Sequence, residues 1–303
     1  MNESGKQCPI CNYLGGKHFS LEYYSKNGSI NTSVYYCKNC GIYWREFPEA
    51  AIVDNHFQIA GYTDLKQEDS WKEKRFKFFS QIIGLLGKYD PGPEVHSKVL
   101  LDFGCSYGHF MDMASSAGYK CIGIETVDYL REKLAGKYET YKTLDSVKDN
   151  SVDVITSIDS LYYVREPYEA MKQFSRILNT DGILLFRITN RVNYIKTKEL
   201  LGKKISPQEF GDCMISFNDK SIRMLAQKTG FKIEKTIYRE EKPQRKELLL
   251  KIGYGLFPYI CEITGLKLTP GLMYVLRRVT SRPIIAAGGA ERAKRNGVRH
   301  GSA

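Results

Sequence analysis

The chain lacks any long hydrophobic run. Its longest uncharged stretch in the apolar C-terminal third is Ile252–Cys261, ten residues, whereas a membrane-spanning helix needs about 20 apolar residues. No apolar signal core follows Met1, and no repeat with a period of 20–50 residues is visible. We therefore expect a protein of the reducing cytoplasm without a membrane span, in which eight cysteines are metal ligands or buried thiols rather than disulfides.

Excess acidic charge is also missing. The net charge is +11, and residues 220–303 carry 18 Lys and Arg against 6 Asp and Glu, so residues 1–219 are close to neutral. The positive charge therefore belongs to the C-terminal quarter. Such a segment could contact anionic lipid headgroups, RNA or a phosphate-bearing substrate, or serve only as a solvated, solubilising tail.

The first 47 residues carry two C-x2-C pairs, Cys8 with Cys11 and Cys37 with Cys40. Each pair places two thiolates on one tight turn, and two such turns complete a tetrahedral sulfur shell for Zn²⁺. Four thiolates leave no open coordination position, so we predict a structural metal site. A segment this short buries little core, and metal binding would supply the missing stability. We expect short strands and turns here, in a zinc ribbon.

An amphipathic pattern begins at Asp69 and ends before Pro91-Gly92-Pro93. Apolar strands and helical stretches alternate after it. The predicted strands are Lys98–Phe103, Tyr119–Glu125, Tyr138–Tyr141, Val152–Ile158, Gly182–Ile188, Phe231–Tyr238 and Leu272–Val279. The predicted helices are Tyr107–Ala117, Tyr129–Lys137, Tyr168–Leu178 and Lys220–Thr229. This alternation predicts a mostly parallel sheet with helices on both faces.

A glycine loop follows the first of these strands, in the run Asp102-Phe103-Gly104-Cys105-Ser106-Tyr107-Gly108. Gly104 and Gly108 allow the backbone to approach a ligand closely. An acid before such a loop repels a pyrophosphate but attracts an ammonium group, and Glu125, at the end of the next strand, can accept two ribose hydroxyls. The two carboxylates therefore fit a nucleoside that carries an amino-acid end.

At these residues the chain resembles the class I S-adenosylmethionine-dependent methyltransferases, whose loop reads acid-x-Gly-x-Gly-x-Gly; Ser106 replaces the middle glycine. The resemblance implies a Rossmann-like seven-stranded sheet. It also implies that Asp102 holds the methionine ammonium and that the loop from Gly104 through Cys105 to Gly108 passes beneath the donor. Glu125 would then bind the ribose, with Thr126 beside the adenine.

The stretch Ser151–Val164 resembles the fourth motif of the same family and places Asp159 just past a strand, at the cofactor and acceptor end. Methyl transfer requires a base only for some acceptors. The candidate proton acceptors are Asp159, Tyr162, Tyr163 and His109. Tyr162 and Tyr163 replace the Glu-His of many relatives, and each candidate could equally be a wall or packing residue.

Together, the ribbon and the sheet are similar to zinc-ribbon methyltransferases associated with bacterial sugar and polysaccharide biosynthesis. That resemblance implies a small polar acceptor: a sugar, a nucleotide-linked sugar or a glycan intermediate, including a lipid-linked one. An RNA methyltransferase and a non-catalytic cofactor-binding adaptor are the alternatives. The expected domains are 1–47 (ribbon), 48–95 (connector and helix), 96–282 (methyltransferase) and 283–303 (flexible tail). Residues 241–267 form an apolar, basic insertion that could be a lid, a dimer contact or a membrane-surface segment.

Overall fold

The computed structural model describes residues 5–25, 28–46, 65–90, 97–206, 210, 213–238 and 271–279. Residues 48–64 of the expected connector, the insertion at 241–267 and the tail at 283–303 therefore lie outside the described residues. In the described part, no helix has the length and apolar character that crossing a bilayer requires.

The N-terminal segment forms an antiparallel sheet. Its strands are β1 (Lys6–Gln7), β2 (Leu14–Ser25), β3 (Gly28–Tyr36) and β4 (Tyr43–Glu46), followed in space by β10 (Ile215–Ser216) from much later in the chain. The expectation of short strands is wrong for β2 and β3, which pair as a hairpin of 12 and 9 residues. Aromatic residues in both strands and β-branched residues in β3 favour this extended pairing.

The second sheet has seven strands in the order β11-β12-β9-β8-β5-β6-β7. These strands are β5 (Val99–Phe103), β6 (Lys120–Ile124), β7 (Glu139–Tyr141), β8 (Val152–Ile158), β9 (Leu178–Thr189), β11 (Phe231–Ile237) and β12 (Gly271–Arg278). Strands β7, β6, β5, β8 and β9 are parallel, and β12 is antiparallel to both of its neighbours. The predicted Rossmann-like methyltransferase sheet is confirmed.

Within the described residues, six α-helices accompany the strands. They are α1 (Leu65–Tyr89), α2 (His109–Ser116), α3 (Asp128–Leu134), α4 (Pro167–Ile177), α5 (Arg191–Leu200) and α6 (Asp219–Lys228). Helix α1 begins before Asp69, earlier than predicted. Helix α5 was not predicted, because only Val192 and Ile195 are buried and most of its other residues are charged or polar.

Alternation along the central strands sends neighbouring residues to opposite faces of the sheet. Leu100 packs in a core with α1 and α2, whereas Leu101 packs in a core with α4, α6 and the N-terminal sheet. The second core contains Cys40 and Ile42 from the N-terminal segment together with Phe174 from α4. The N-terminal segment thus shares a hydrophobic core with the large sheet.

Candidate functional site

The chain order places a cleft beside β5. From β5 the chain first builds outward through β6 and β7, and then returns to add β8 and β9 on the other side. Ligands of open α/β sheets bind at such a switch point, outside the carboxyl ends of the strands. A cavity of about 650 Å³ lies there. The predicted residues that line it are Asp102, Gly104, Cys105, Ser106, Glu125, Thr126, Asp159, Tyr162 and Tyr163.

The glycine loop requires glycine at its first position. Gly104 has a φ of 79°, and a Cβ built on it would lie 2.7 Å from the Cβ of Ser160. A side chain would therefore meet both backbone strain and a collision. The N–H groups of Gly104 and Cys105 donate to the carbonyl of Ile124 at 2.8 and 3.0 Å, which ties the loop to β6. Gly108, with a φ of 76°, precedes α2.

Ser106 occupies a left-handed conformation, with a φ of 50°. This explains why glycine suits the position, because non-glycine residues adopt such angles at a cost. Its backbone N–H donates to Glu125 Oε2 at 2.9 Å. The serine therefore keeps the loop geometry while its backbone orients a neighbouring carboxylate.

Asp102 is the more deeply buried of the two site carboxylates, with 4% of its surface exposed. Burial raises its pKa to about 7; the negative charge of Glu125 adds to the shift, and a hydrogen bond from Thr156 opposes it. That bond runs from Thr156 Oγ1 to Asp102 Oδ1 at 2.7 Å. A buried carboxylate of this kind favours a cationic ligand, whose charge would offset the cost of burial.

Glu125 is held by the backbone on both sides. Its Oε2 accepts the Ser106 N–H and its Oε1 accepts the Val127 N–H at 3.0 Å. Each carboxylate oxygen has a second lone pair, so the group can still accept ribose hydroxyls. Thr126 lines the cavity beside it and is exposed. Cys105 is buried, and burial raises the pKa of its thiol, which favours the neutral form.

Asp159 lies where β8 ends, with a φ of 58°. Its Oδ2 accepts Arg75 Nη2 at 2.9 Å, and its Oδ1 accepts a hydrogen bond from Arg187. Both oxygens therefore bond guanidinium groups, which fix the orientation of the carboxylate. This geometry favours an anchoring role for Asp159 over the role of a proton acceptor.

The other three candidate bases differ in position. Tyr162 is buried, and burial raises the pKa of its phenol, with Asp159 adding to the shift, so the neutral donor form is favoured. The half-buried Tyr163 packs against it at a ring distance of 4.7 Å. His109 is not among the residues that line the cavity; it is buried and stacks on Tyr107 at 5.7 Å. This position favours the packing alternative for His109 over the role of proton acceptor, because the start of α2 places its ring against Tyr107.

Much of the cavity wall was not predicted from the sequence. Further lining residues include members of α1, of the segment after β7, and of α4 with the residue before it: Arg75, Phe79, Lys142, Thr143, Leu144, Asp145, Glu166, Glu169 and Gln173. The segment after β7 could have been expected, because it also lies at a carboxyl strand end. Arg75 carried no signal, since it lies in a helix 84 residues from its partner Asp159.

The four predicted metal ligands meet at one point. Their sulfur atoms lie within 4.8 Å of one another, with Cys8 Sγ to Cys40 Sγ at 3.4 Å and Cys11 Sγ to Cys37 Sγ at 3.5 Å. A tetrahedral zinc site with Zn–S near 2.3 Å requires S–S distances of roughly 3.8 Å. The four cysteines are unpaired by disulfides and fit a small zinc-ribbon-like motif.

The two cysteine turns share one backbone geometry. Cys8 N–H donates to Tyr13 O while its own carbonyl accepts the Asn12 N–H, and Cys37 makes the same pair of bonds with Ile42 and Gly41. Asn12 and Gly41, the residues after each second cysteine, both have positive φ, at 59° and 77°. Two matched turns of this kind present their thiols to a common centre.

A second groove, of about 720 Å³, separates the N-terminal segment from the start of α4. Its walls carry groups of both charges and aromatic rings, among them Lys6, Trp44, Arg45, Glu46, Arg165, Tyr168 and Met214. Glu166 and Glu169 line this groove and the cavity beside β5. The two spaces therefore adjoin.

A Rossmann-like sheet with a glycine loop and two buried carboxylates at the switch point defines a cofactor-binding α/β protein. The profile of a family described as "Methyltransferase domain" matches residues 71–236, more than half of the chain, and the chain belongs to that family. No curated protein sequence gives a significant match.

Several solved methyltransferase structures are similar to this chain. A chain from the complex between the Haloferax volcanii Trm112 methyltransferase activator and its methyltransferase is 11% identical, with a TM-score of 0.55; the match covers 76% of this chain and 99% of that one. An Archaeoglobus fulgidus SAM-dependent methyltransferase is 14% identical (TM-score 0.43; 67% and 97% covered). An S-adenosylmethionine-dependent methyltransferase of Mesorhizobium loti is 17% identical (TM-score 0.44; 66% and 100% covered).

Proposed function

We propose that the protein transfers a methyl group from S-adenosylmethionine to a small polar acceptor. The observation that carries this proposal is the placement of Asp102 and Glu125 at the ends of neighbouring parallel strands, both buried and both lining the cavity. One carboxylate lies before the glycine loop and the other accepts a hydrogen bond from it. This arrangement suits a ligand with an ammonium group at one end and a ribose diol at the other.

In this proposal, Asp102 binds the methionine ammonium and Glu125 binds the ribose hydroxyls, with Thr126 on the adenine side. The bound donor supplies a methyl group already activated by the sulfonium charge. The chain's own residues then have to hold the acceptor in line with the methyl–sulfur bond and exclude water. Tyr162 and Tyr163 wall that side of the cavity, and we assign no general base.

We further propose that the acceptor is a sugar, a nucleotide-linked sugar or a glycan intermediate. The groove beside α4 supports this, because it adjoins the cavity and offers carboxylates, cations and aromatic rings to a molecule rich in hydroxyls. The four cysteines would hold a structural Zn²⁺, since four thiolates leave no position for a substrate. The domain limits stay a proposal: a ribbon at 1–47 and a methyltransferase at 96–282.

Isothermal titration with S-adenosylhomocysteine tests the donor assignment. We expect one binding site in the full chain and an affinity at least tenfold weaker in Glu125→Gln, because a charge-assisted hydrogen bond contributes about 1.5–3 kcal/mol. Glu132→Gln is the matched control, because Glu132 is exposed on α3 and does not line the cavity. Equal affinities in the two variants would contradict the assignment.

A further inference from the structure

The N-terminal segment is joined to the large domain by strand pairing. Its last strand, β4, pairs with β10, so that Trp44 lies opposite Ile215 and Tyr43 opposite Ser216. The pairing continues through the Arg45 N–H, which donates to the Met214 carbonyl at 2.9 Å. The backbone just before β10 is therefore held by the segment that carries the four cysteines.

Arg45 strengthens this junction from inside. Its side chain is 2% exposed, and its Nε and Nη2 both donate to the Cys213 carbonyl, at 2.9 and 2.7 Å. The guanidinium also lies over the ring of Phe210, 5.9 Å from its centre. Because two donors of a rigid, charged group meet one carbonyl, they fix the position of the backbone at Cys213.

The same backbone contacts the cavity wall. The N–H of Met214 donates to the carbonyl of Tyr162 at 2.9 Å. Tyr162 and Tyr163 belong to a short helical turn, Leu161–Tyr163, and both line the cavity on the side assigned to the acceptor. The donor loop is tied elsewhere, through Gly104 and Cys105 to Ile124 on β6.

The cysteine turns are themselves fastened to α6. The side-chain amide of Asn218 donates to the carbonyls of Cys40 and Gly41, at 3.2 and 2.7 Å, while its oxygen caps the helix by accepting the Ser221 N–H. At the other end of α6, Lys228 Nζ donates to the Ile10 carbonyl at 3.3 Å. The two cysteine turns are therefore hydrogen-bonded to both ends of α6, the helix that follows β10.

We propose that Arg45 is a positioning residue through which the metal-loaded ribbon fixes the Tyr162–Tyr163 wall of the cavity. The metal site then controls the acceptor side of the cavity, while the donor loop keeps its geometry through β6. The assignment of the two sides rests on the function proposed above. The connection from the cysteine segment to Tyr162 rests only on the pairing of β4 with β10 and on the hydrogen bonds of Arg45 and Met214.

Hydrogen exchange measured by mass spectrometry tests the link. We compare Arg45→Met with Lys6→Met, a matched loss of one cation from the same segment, since Lys6 makes only an exposed ion pair with Glu46 in the described contacts. The amides of Tyr163 and Val164, which bond to Ser160 and Leu161, report on the wall. We expect Arg45→Met to accelerate their exchange about tenfold, with Arg45→Lys intermediate and Lys6→Met unchanged.

The donor side supplies the internal comparison. The amides of Ser106 and Gly108 should keep their protection in Arg45→Met, and the affinity for S-adenosylhomocysteine should stay within about twofold of the unmodified chain. Unchanged exchange at Tyr163 and Val164, or an equal loss of protection in both segments, would overturn the proposal. Failure of the unmodified chain to bind S-adenosylhomocysteine would refute the proposed function instead. The exchange data would still show whether Arg45 positions the Tyr162–Tyr163 wall.

The unmodified protein provides a second route should Arg45→Met fail to fold. Removing zinc with a chelator should accelerate hydrogen exchange at the amides of Tyr163 and Val164 before it does so at those of Ser106 and Gly108. Simultaneous loss in both segments, or no loss at the wall, would contradict the proposal.

Discussion

Replacing the buried carboxylate of Asp102 by an amide should make the protein more stable but weaken its binding of the donor. Burial raises the pKa of Asp102 to about 7, about three units above the ordinary value of 3.8. Because the folded state holds this proton more tightly than the unfolded state does, stability falls as the pH rises from about 4 to 7. At one unit per 1.36 kcal/mol, the ionised carboxylate costs up to about 4 kcal/mol above pH 7.

Asp102→Asn removes that cost while weakening the hydrogen bond from Thr156, a loss of about 1 kcal/mol. The variant should therefore be more stable than the parent by about 1–3 kcal/mol at pH 8, and the difference should shrink at pH 5, where Asp102 is protonated. Its affinity for S-adenosylhomocysteine should fall at least tenfold at pH 8, because the ammonium loses its ionic partner.

Urea unfolding at pH 5 and pH 8, combined with isothermal titration, measures both effects. Glu132→Gln controls for the loss of one negative charge. The reasoning is refuted if Asp102→Asn is less stable than the parent at pH 8, or if its stability gain is the same at both pH values. An unchanged ligand affinity would separately refute the binding role.

Three further predictions concern the loop and the metal site. Ser106→Gly should leave the free energy of unfolding unchanged or raise it by up to about 1 kcal/mol, since it relieves a positive φ; a loss above 1 kcal/mol in urea unfolding would contradict this. Gly104→Ala should weaken S-adenosylhomocysteine binding at least tenfold, and adding Ser160→Gly should restore part of it by removing the collision but not the strain; full affinity in Gly104→Ala would count against the loop geometry. Elemental analysis should find one zinc per chain, and Cys37→Ser should lose the metal and lower the melting temperature, whereas the same change at Cys121, outside the cluster, should keep it.

The sheet, the four-cysteine cluster and the glycine loop could be predicted from the sequence. The cysteine pairs and the run from Asp102 to Gly108 each lie in short segments, where spacing alone constrains the geometry. The long strand β9 was predicted only from Gly182: the predicted helix Tyr168–Leu178 included its first residue, and Asp181, with a φ of 63°, interrupts the extended backbone before Gly182.

Contacts between segments that are distant in the chain could not be predicted from local spacing. Arg75 and Arg187 reach Asp159 from a helix and a strand far apart in the chain, so its ion pairs depend on tertiary packing. The pairing of β4 with β10 joins residues about 170 positions apart, and two-residue strands carry no periodic signal. Whether His109 lines the cavity or packs behind the loop could not be predicted, because a position near the loop says nothing about which way a helix turns its first side chain.

A crystal structure of the full chain with S-adenosylhomocysteine would show whether the two carboxylates bind the donor as proposed. We expect the amino group of the ligand within hydrogen-bond distance of Asp102 and both ribose hydroxyls on Glu125, with the glycine loop beneath them. A ligand bound in the reverse orientation, or density for it away from these two carboxylates, would refute the donor assignment.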